Sequence, residues 1–270
     1  MALMVNINDI ISISKKAGNA ILDIYNHSDK SIMEVEYKSD NSPLTKADKV
    51  SNEIICSYLK KKFPNISILS EEGKNIHFHE RKNWDMFWLI DPIDGTKEFI
   101  KKNGEFTVNI ALIEKNTPIL GVVYAPVLNK YWYGSKAGSF VLKNNKTTKI
   151  NINKKVTEPY KIVASRSHKS QYLSNFLNTF GSFELINMGS SLKICLVAEG
   201  KADIYPRLAP TMEWDTAAAH AVLKYAHGTL LDLSKNKEMS YNKENLRNSF
   251  FIANSSFDLS KIKNEISANI

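Results

Sequence analysis

Two aspartates, Asp91 and Asp94, end an apolar run in the segment DMFWLIDPIDGTKEF. An Asp-Gly pair after a strand is ordinary turn chemistry, and Pro92 suits a type I turn. A turn accounts for one of the two aspartates but not for both. Two carboxylates at the end of a buried strand can also bind hard cations. The backbone N–H groups of Gly95 and Thr96, at a predicted helix start, can bind a phosphate.

Three further segments carry acids or hydroxyls where the periodicity breaks: SPLTKAD, ILSEEG and MEWDTAAAH. Each has a structural alternative. Thr45 and Asp48 form an acceptable capping box. Glu71 lies in a turn, and Asp215 suits the first turn of a helix. Three of the four acidic segments nevertheless follow a strand or start a helix, where loops carry function on a rigid scaffold.

The ligand types in these segments favour magnesium. Carboxylate oxygens from several loops, with no His or Cys among them, suit Mg²⁺ rather than zinc. Two ions about 3.5–4 Å apart need one shared carboxylate and further ligands on either side. Asp91 and Asp94 can supply the shared ligand and its neighbour. The residues therefore predict a magnesium-dependent phosphate site.

The elements that must position these acids follow from hydrophobic periodicity. Apolar residues recur at helical spacing over 5–25, and a second helix is predicted over 46–62. ISIL and MFWLI read as short buried strands. EFTVNIALIE and PILGVVYAP read as longer strands joined by a hairpin turn at KNTP. The first half is thus predicted as two helices on a mostly antiparallel sheet.

The segment KNNKTTKININKKVTEP is polar and lysine-rich, which predicts a junction between two lobes. After it, strands KIVASR and FELINM alternate with helices predicted near 172–179, 191–199 and 215–225, which is typical of a layered, βαβ-like lobe. We therefore predict an N-terminal α+β lobe over 1–155 with most metal ligands and a C-terminal α/β lobe over 156–270 with Asp215 and the nucleotide-binding residues. Together they form one catalytic unit.

Composition narrows the function classes. The chain has 270 residues, 43% of them hydrophobic, and a net charge of +8. Its lysines are scattered or form short runs at predicted helix ends, such as 60–62, which is typical of solvated faces, so no nucleic-acid partner is predicted. No segment has the roughly 20 apolar residues of a membrane span. We predict a cytoplasmic protein, and leave open its oligomeric state and a loose association with the inner face of the membrane.

The ordered motifs resemble a known family. WLIDPIDGTKEF, preceded by SEE and followed far downstream by EWDTAAAHAVL, is similar to the metal-dependent, lithium-sensitive phosphatase superfamily that includes inositol monophosphatases and fructose bisphosphatases. DNSPLTKAD, DGTKEFIKKNGEFTVNIALI, SRSH and GSSLKICLVAEGKADIYPR resemble its bisphosphate nucleotidase branch. The likeness covers nearly the whole chain. It implies an α/β (α+β) fold, the layered αβαβα sandwich of that superfamily.

The resemblance also implies a role for each acid. Glu71, Asp91 and the backbone carbonyl of Ile93 would hold one Mg²⁺. Asp91, Asp94 and Asp215 would hold a second ion, and a third, weaker ion near Glu71 is allowed. Asp48 and Thr96 would be the catalytic pair that orients and deprotonates the attacking water.

The implied reaction removes the 3'-phosphate of adenosine 3',5'-bisphosphate, giving AMP and phosphate, and the sulfated analogue is a further allowed substrate. The distal phosphate would meet Lys193 and Arg207, for which solvated surface charge is the alternative, with Arg166 and His168 of SRSH nearby. The full predicted substrate-binding set is Glu71, Ile93, Asp94, Gly95, Thr96, Ser190, Ser191, Lys193, Arg207 and Asp215.

Two departures and two alternatives accompany this interpretation. Lys97 and Glu98 follow the DGT where inositol monophosphatases often carry Thr-Asn, which favours the nucleotidase branch. Gly73 stands where some bisphosphate nucleotidases carry another acid, which bears on the third ion.

An inositol or sugar phosphate monoesterase with the same metal site is the alternative enzyme. A basic nucleic-acid-binding or scaffold protein without catalysis is the alternative of another class.

Overall fold

The computed structural model describes residues 5–27, 35–38, 43–166 and 171–259. The helices within these ranges are α1 (Ile7–Tyr25), α2 (Lys46–Lys62), α3 (Phe78–Arg81), α4 (Thr96–Ile100), α5 (Gln171–Leu177), α6 (Leu192–Ala198) and α7 (Glu213–Tyr225). The strands are β1 (Val35–Tyr37), β2 (Pro43–Thr45), β3 (Ser67–Ser70), β4 (Met86–Asp94), β5 (Thr107–Glu114), β6 (Thr117–Ala125), β7 (Lys130–Ser135), β8 (Gly138–Lys143), β9 (Lys146–Ile150), β10 (Tyr160–Ser165), β11 (Phe183–Met188), β12 (Ile204–Arg207), β13 (Thr229–Asp232), β14 (Lys237–Glu238) and β15 (Phe251–Asn254).

The first large sheet has the strand order β3-β4-β5-β6-β7-β8-β9. Only β3 and β4 pair in parallel within it, and the remaining neighbours are antiparallel. Alternate residues of β4 enter different cores: Trp88 and Ile90 pack with α1 and α2, whereas Phe87 and Leu89 pack with α6 and α7. Because both faces are covered, β4 reads as a continuous apolar run.

The second large sheet has the order β11-β10-β12-β15-β13-β14. One face packs on α5, where Ile162 and Ile204 meet Phe176. The other face contributes Val163 and Tyr205 to the core that holds α6 and α7. The layers are therefore α1 and α2, the first sheet, α6 and α7, the second sheet, and α5. This confirms the predicted αβαβα sandwich.

The lysine-rich segment that the sequence predicts as a junction is partly a strand. Residues 146–150 form β9, which pairs with β8 at the edge of the first sheet, and residues 151–159 run between the two sheets. Lys146 and Lys149 point to solvent from this edge. Lysine on an edge strand disfavours pairing with other chains. Because β9 buries little apolar surface, it lacks the alternating pattern by which a strand is predicted.

Candidate active site

A β-bulge turns both aspartates of the DPIDGT motif to one side of the sheet. Asp91 pairs with Asn109 and Asp94 pairs with Thr107, so three steps along β4 match two steps along β5. In a regular strand, residues three apart face opposite sides. The extra residue is absorbed by the bulge between Asp91 and Asp94, and both carboxylates follow the same face as Asn109 and Thr107.

Three acids meet near the ends of strands β3 and β4 in the first sheet. Carboxylate oxygens of Glu71, Asp91 and Asp215 all lie within 4.8 Å of one another. Glu71 follows β3, and its backbone N–H donates to the carbonyl of Ile90 at 3.1 Å, which holds it beside β4. Asp215 lies in the first turn of α7. The parallel pair β3 and β4 and the start of α7 thus bring three predicted metal ligands together.

Burial and the negative charges of neighbouring acids raise the pKa of each acid in this cluster. The pKa of Asp91 is raised well above its usual range, first by burial and then by the charges of Glu71 and Asp94. The pKa of Asp215 is raised well above its usual range by burial and then by the charges of Asp94 and Glu71. The buried Oδ1 of Asp91 has no hydrogen-bond partner among the described residues. A divalent cation would provide that contact and offset the repulsion, so these oxygens fit Mg²⁺.

Asp94 lies beside this cluster and faces the loop before α6. Its Oδ2 accepts hydrogen bonds from Ser190 Oγ at 2.7 Å and from the backbone N–H of Ser191 at 2.5 Å. Burial raises the pKa of Asp94, while the charge of Lys193 and these hydrogen bonds act in the opposite direction. The metal role predicted for Asp94 stays a prediction.

The two predicted catalytic residues are in contact. Asp48 Oδ2 accepts from Thr45 N at 2.8 Å and from Thr45 Oγ1 at 2.5 Å. The predicted capping box of Thr45 and Asp48 is present at the start of α2. Oδ1 of the same carboxylate accepts from Thr96 Oγ1 at 3.3 Å. The Thr96 hydroxyl also lies 3.3 Å from the carbonyl of Ile93. Burial raises the pKa of Asp48 to about 6, although its bonds from Thr45 act to lower it.

A cavity of about 310 Å³ opens beside the acids. All the predicted substrate-binding residues except Ile93 line it. The sequence did not predict several further wall residues, among them Tyr205, Pro210, Thr211, Thr216 and Phe251.

Two cations enter this cavity from α6 and β12. Lys193 is buried, its Nζ donates to the carbonyl of Ser190 at 2.6 Å, and it lies 5.4 Å from the centre of the Tyr205 ring. Burial lowers the pKa of Lys193 to about 8, and the charge of Asp94 opposes this shift. Arg207 donates through Nη2 to the carbonyl of Pro210 at 2.9 Å. Its buried Nε has no partner among the described residues.

Two residues predicted at or near the substrate make other contacts. The Ser191 N–H donates to Asp94 and is therefore not free for a phosphate. Arg166 forms a paired contact with Glu105 at 3.1 and 2.7 Å, and is not among the residues that line the cavity. His168 lies outside the described residues.

Lys38 is a site residue that the sequence did not predict. Its Nζ lies 2.8 Å from Glu71 Oε1 and 2.5 Å from Glu72 Oε1. Burial disfavours the ammonium, but the two glutamates outweigh it and raise the pKa of Lys38. The cation therefore lies near Glu71, in the region where the resemblance allows a third ion. A single lysine between two polar segments gives no periodic signal, so sequence reasoning had nothing to detect.

Thr107 and Asn109 were also missed, although a signal was present. The hydroxyl of Thr107 lies 2.7 Å from Ser190 Oγ and 2.8 Å from Ser191 Oγ. Asn109 Oδ1 accepts from Ser191 Oγ at 3.0 Å. Both are polar residues at alternate positions of a buried strand, and such a pair on one face indicates a site at the strand end.

The sequence identifies the family. A profile of the inositol monophosphatase family matches residues 6–267, and the chain belongs to this family. None of the helices in the described part of the chain has the length and apolar character needed to cross a membrane.

Particular relatives are bisphosphate nucleotidases by name. The 3'(2'),5'-bisphosphate nucleotidase CysQ of Salmonella typhimurium is 44% identical over 216 residues, which are 80% of this chain and 86% of that protein. The CysQ of Haemophilus influenzae is 36% identical over 258 residues, 93% of this chain and 94% of the relative. The crystal structure of CysQ from Bacteroides thetaiotaomicron superposes with a TM-score of 0.82 at 41% identity, covering 95% of this chain and 100% of that one.

Proposed function

We propose that this chain is a Mg²⁺-dependent phosphatase that removes the 3'-phosphate of adenosine 3',5'-bisphosphate, giving AMP and phosphate. One observation carries the proposal: the acid cluster, with the unpartnered oxygen of Asp91, borders a cavity that also holds the cations Lys193 and Arg207. The names of the CysQ relatives support the same activity.

The acids divide between two ions in this proposal. Glu71, Asp91 and the Ile93 carbonyl would hold one Mg²⁺, and Asp91, Asp94 and Asp215 a second. Bound there, the ions would neutralise charge on the transferring phosphate and lower the pKa of the attacking water. Family membership and the all-oxygen donor set support Mg²⁺. The number of ions is part of the proposal, and the ammonium of Lys38 supplies positive charge beside Glu71 without a third ion.

Thr96 orients the attacking water, and Asp48 acts as the base for its proton. The Thr96 hydroxyl donates to Asp48, which leaves the Thr96 oxygen free to accept a hydrogen bond from water and orient it. As the water oxygen bonds to phosphorus and the bond to the 3'-oxygen breaks, the proton of the water passes to Thr96 Oγ1 and the proton of Thr96 passes to Asp48 Oδ1. The departing 3'-oxygen takes up a proton from solvent water and leaves as the 3'-hydroxyl of AMP.

The non-reacting 5'-phosphate would bind between Lys193 and Arg207. Lys193 and Arg207 both line the cavity, Lys193 as a buried residue and Arg207 with a buried Nε that has no partner among the described residues. Charge-assisted hydrogen bonds of this kind are stronger than neutral ones. The sulfated analogue of the substrate carries the same 3'-phosphate, and we include it as a second substrate.

Product analysis tests the proposal. The purified chain is incubated with adenosine 3',5'-bisphosphate and MgCl₂, and the nucleotides are separated by chromatography. We expect phosphate and 5'-AMP to form in equal amounts in MgCl₂, and no product to form when EDTA replaces MgCl₂. Asp91→Asn, prepared in the same way, controls for contaminating phosphatases. Formation of 3'-AMP, or equal turnover by Asp91→Asn, would contradict the proposal.

A further inference from the structure

Asn248, between β14 and β15, contacts residues that precede and follow Asp215 in the sequence. Its side-chain nitrogen lies 2.8 Å from the Met212 carbonyl, 3.2 Å from Thr211 Oγ1 and 3.1 Å from Thr216 Oγ1. Asn248 is only 4% exposed. One buried amide group therefore contacts the residues directly before α7 and the residue that follows Asp215.

Two independent contacts fix the orientation of this amide. Asn248 Oδ1 accepts from Lys243 Nζ at 3.2 Å. The Met212 carbonyl can only accept, so the nitrogen must face it. The backbone N–H of Asn248 also donates to the Thr211 carbonyl at 2.8 Å. Main chain and side chain thus hold the start of α7 together.

A buried hydrogen-bond network supports the Thr216 end of this contact. The Tyr241 hydroxyl lies 3.3 Å from Thr216 Oγ1 and 2.9 Å from His220 Nδ1. His220 Nε2 lies 2.7 Å from Glu238 Oε1. Thr216, His220 and Tyr241 are each at most 1% exposed. The network links α7 to the segment that carries β14.

The acids of the site repel one another, so their approach has to be enforced by the surrounding structure. Asp215 is half-buried near Glu71 and Asp94, whose charges disfavour its own. Its Oδ2 accepts from Met212 N at 2.9 Å, the same residue whose carbonyl Asn248 holds. Hydrogen-bond partners behind a metal ligand fix its orientation and affinity.

We infer that Asn248 is a positioning residue of the metal site, which holds the first turn of α7 so that Asp215 meets Glu71 and Asp91. The inference rests on the metal role proposed above. Asn248 is not among the residues that line the cavity, and acts through Met212 and Thr216.

Calorimetric titration of the substrate-free chain with MgCl₂ tests this role, with melting temperature measured in parallel. Asn248→Ala should weaken Mg²⁺ binding about ten-fold or more. Asn254→Ala is the matched control, because Asn254 is 7% exposed and its amide donates to the Phe257 carbonyl at 3.1 Å. The control should lose stability but bind Mg²⁺ as the wild type does.

Tyr241→Phe provides a second, milder variant should Asn248→Ala not fold. It removes the hydroxyl between His220 and Thr216, and we expect weaker Mg²⁺ binding than in the wild type. Tyr131→Phe is its control, since the buried Tyr131 hydroxyl has no partner among the described residues. Wild-type Mg²⁺ affinity in the folded variants, with only a lower melting temperature, would overturn the positioning role. Absence of Mg²⁺ binding by the wild type itself would instead overturn the proposed metal role and this inference with it.

Discussion

The hydroxyl of Thr96 donates to Oδ1 of Asp48, while Oδ2 of the same carboxylate accepts two bonds from Thr45. The capping role and the proposed base role thus fall on different oxygens of one side chain. The structural and the catalytic interpretations of Asp48 are therefore compatible, and substitutions can separate them.

Asp48→Asn should abolish most turnover and leave folding nearly intact. An amide can keep its oxygen on Thr45 but cannot accept a proton, so we expect kcat to fall about 10²-fold or more. Thr45→Val is the complementary variant: it removes a cap bond, which should cost about 0.5–2 kcal/mol of stability, and keeps Asp48 Oδ1 on Thr96. Steady-state kinetics and thermal melts check both. A folded Asp48→Asn with normal turnover would leave Asp48 a cap only.

Asp94→Asn should lower turnover at least ~10²-fold, the scale on which catalytic electrostatic contacts act. The amide keeps the shape of the side chain and can still accept from Ser190 and Ser191, but it is a poorer ligand for a hard dication. The check is kcat measured over increasing MgCl₂. Wild-type kcat at saturating Mg²⁺ would mean that Asp94 serves only to hold the loop before α6.

Stability without metal should depend on pH in a defined direction. Asp91, Asp94 and Asp215 have pKa values raised in the fold, so between about pH 4 and those raised values the folded chain binds more protons than the unfolded chain. Their contribution to stability therefore falls as pH rises. Mg²⁺ binds the ionised form, so the increase in melting temperature on adding MgCl₂ should grow from about pH 5 to about pH 8.

Thermal melts in EDTA and in MgCl₂ across this range check the linkage. Asp91→Asn is the control, because it removes a central charge of the cluster and should reduce both the pH dependence and the gain from Mg²⁺. A gain in melting temperature that is the same at every pH and in both proteins would argue against carboxylate ligation.

Lithium should inhibit turnover at fixed Mg²⁺. Li⁺ is similar in size to Mg²⁺ but carries half its charge, and by resemblance to the family it takes the second ion's place. Initial rates are measured while LiCl or NaCl is raised to the same ionic strength. Equal responses to the two salts would show that only ionic strength is sensed.

Lys193→Ala and Arg207→Ala should lower kcat/KM more on a bisphosphate than on a monophosphate substrate. Each is expected to lower kcat/KM for adenosine 3',5'-bisphosphate by ~1.5–3 kcal/mol, the range for a hydrogen bond to a charged group. Adenosine 3'-monophosphate lacks the distal phosphate and should lose much less. Both side chains also donate to a backbone carbonyl, but the one that Lys193 holds belongs to Ser190, whose hydroxyl contacts Asp94, so Arg207→Ala is the cleaner of the two. Equal losses on both substrates would remove the distal-phosphate role and favour an inositol phosphatase activity.

The layered fold was predictable because its elements carry strong local signals. The predicted helix over 46–62 is found unchanged as α2, and the predicted hairpin joins β5 to β6. The motifs around Glu71, Asp91 and Asp215 carried the family resemblance, and these three acids converge in the structure. The division into two lobes, the catalytic pair and the cytoplasmic location stay predictions.

What the sequence did not predict depends on contacts between distant segments. Lys38 reaches Glu71 across 33 positions, and Arg166 reaches Glu105 across 61. The hydrophobic periodicity of the sequence does not indicate contacts between residues so far apart in the chain. Asn248 was missed for the same reason, since an asparagine in a loop is ordinary until its partners on α7 are known.

The most direct test of the central claim compares kcat/KM on three substrates under identical conditions. Phosphate release is followed with saturating MgCl₂ on adenosine 3',5'-bisphosphate, inositol monophosphate and fructose bisphosphate. The proposed function predicts that the adenosine bisphosphate is hydrolysed most efficiently, and that Arg207→Ala erodes this preference. Equal or higher kcat/KM on inositol monophosphate would contradict it and identify the chain as a monoesterase of that kind.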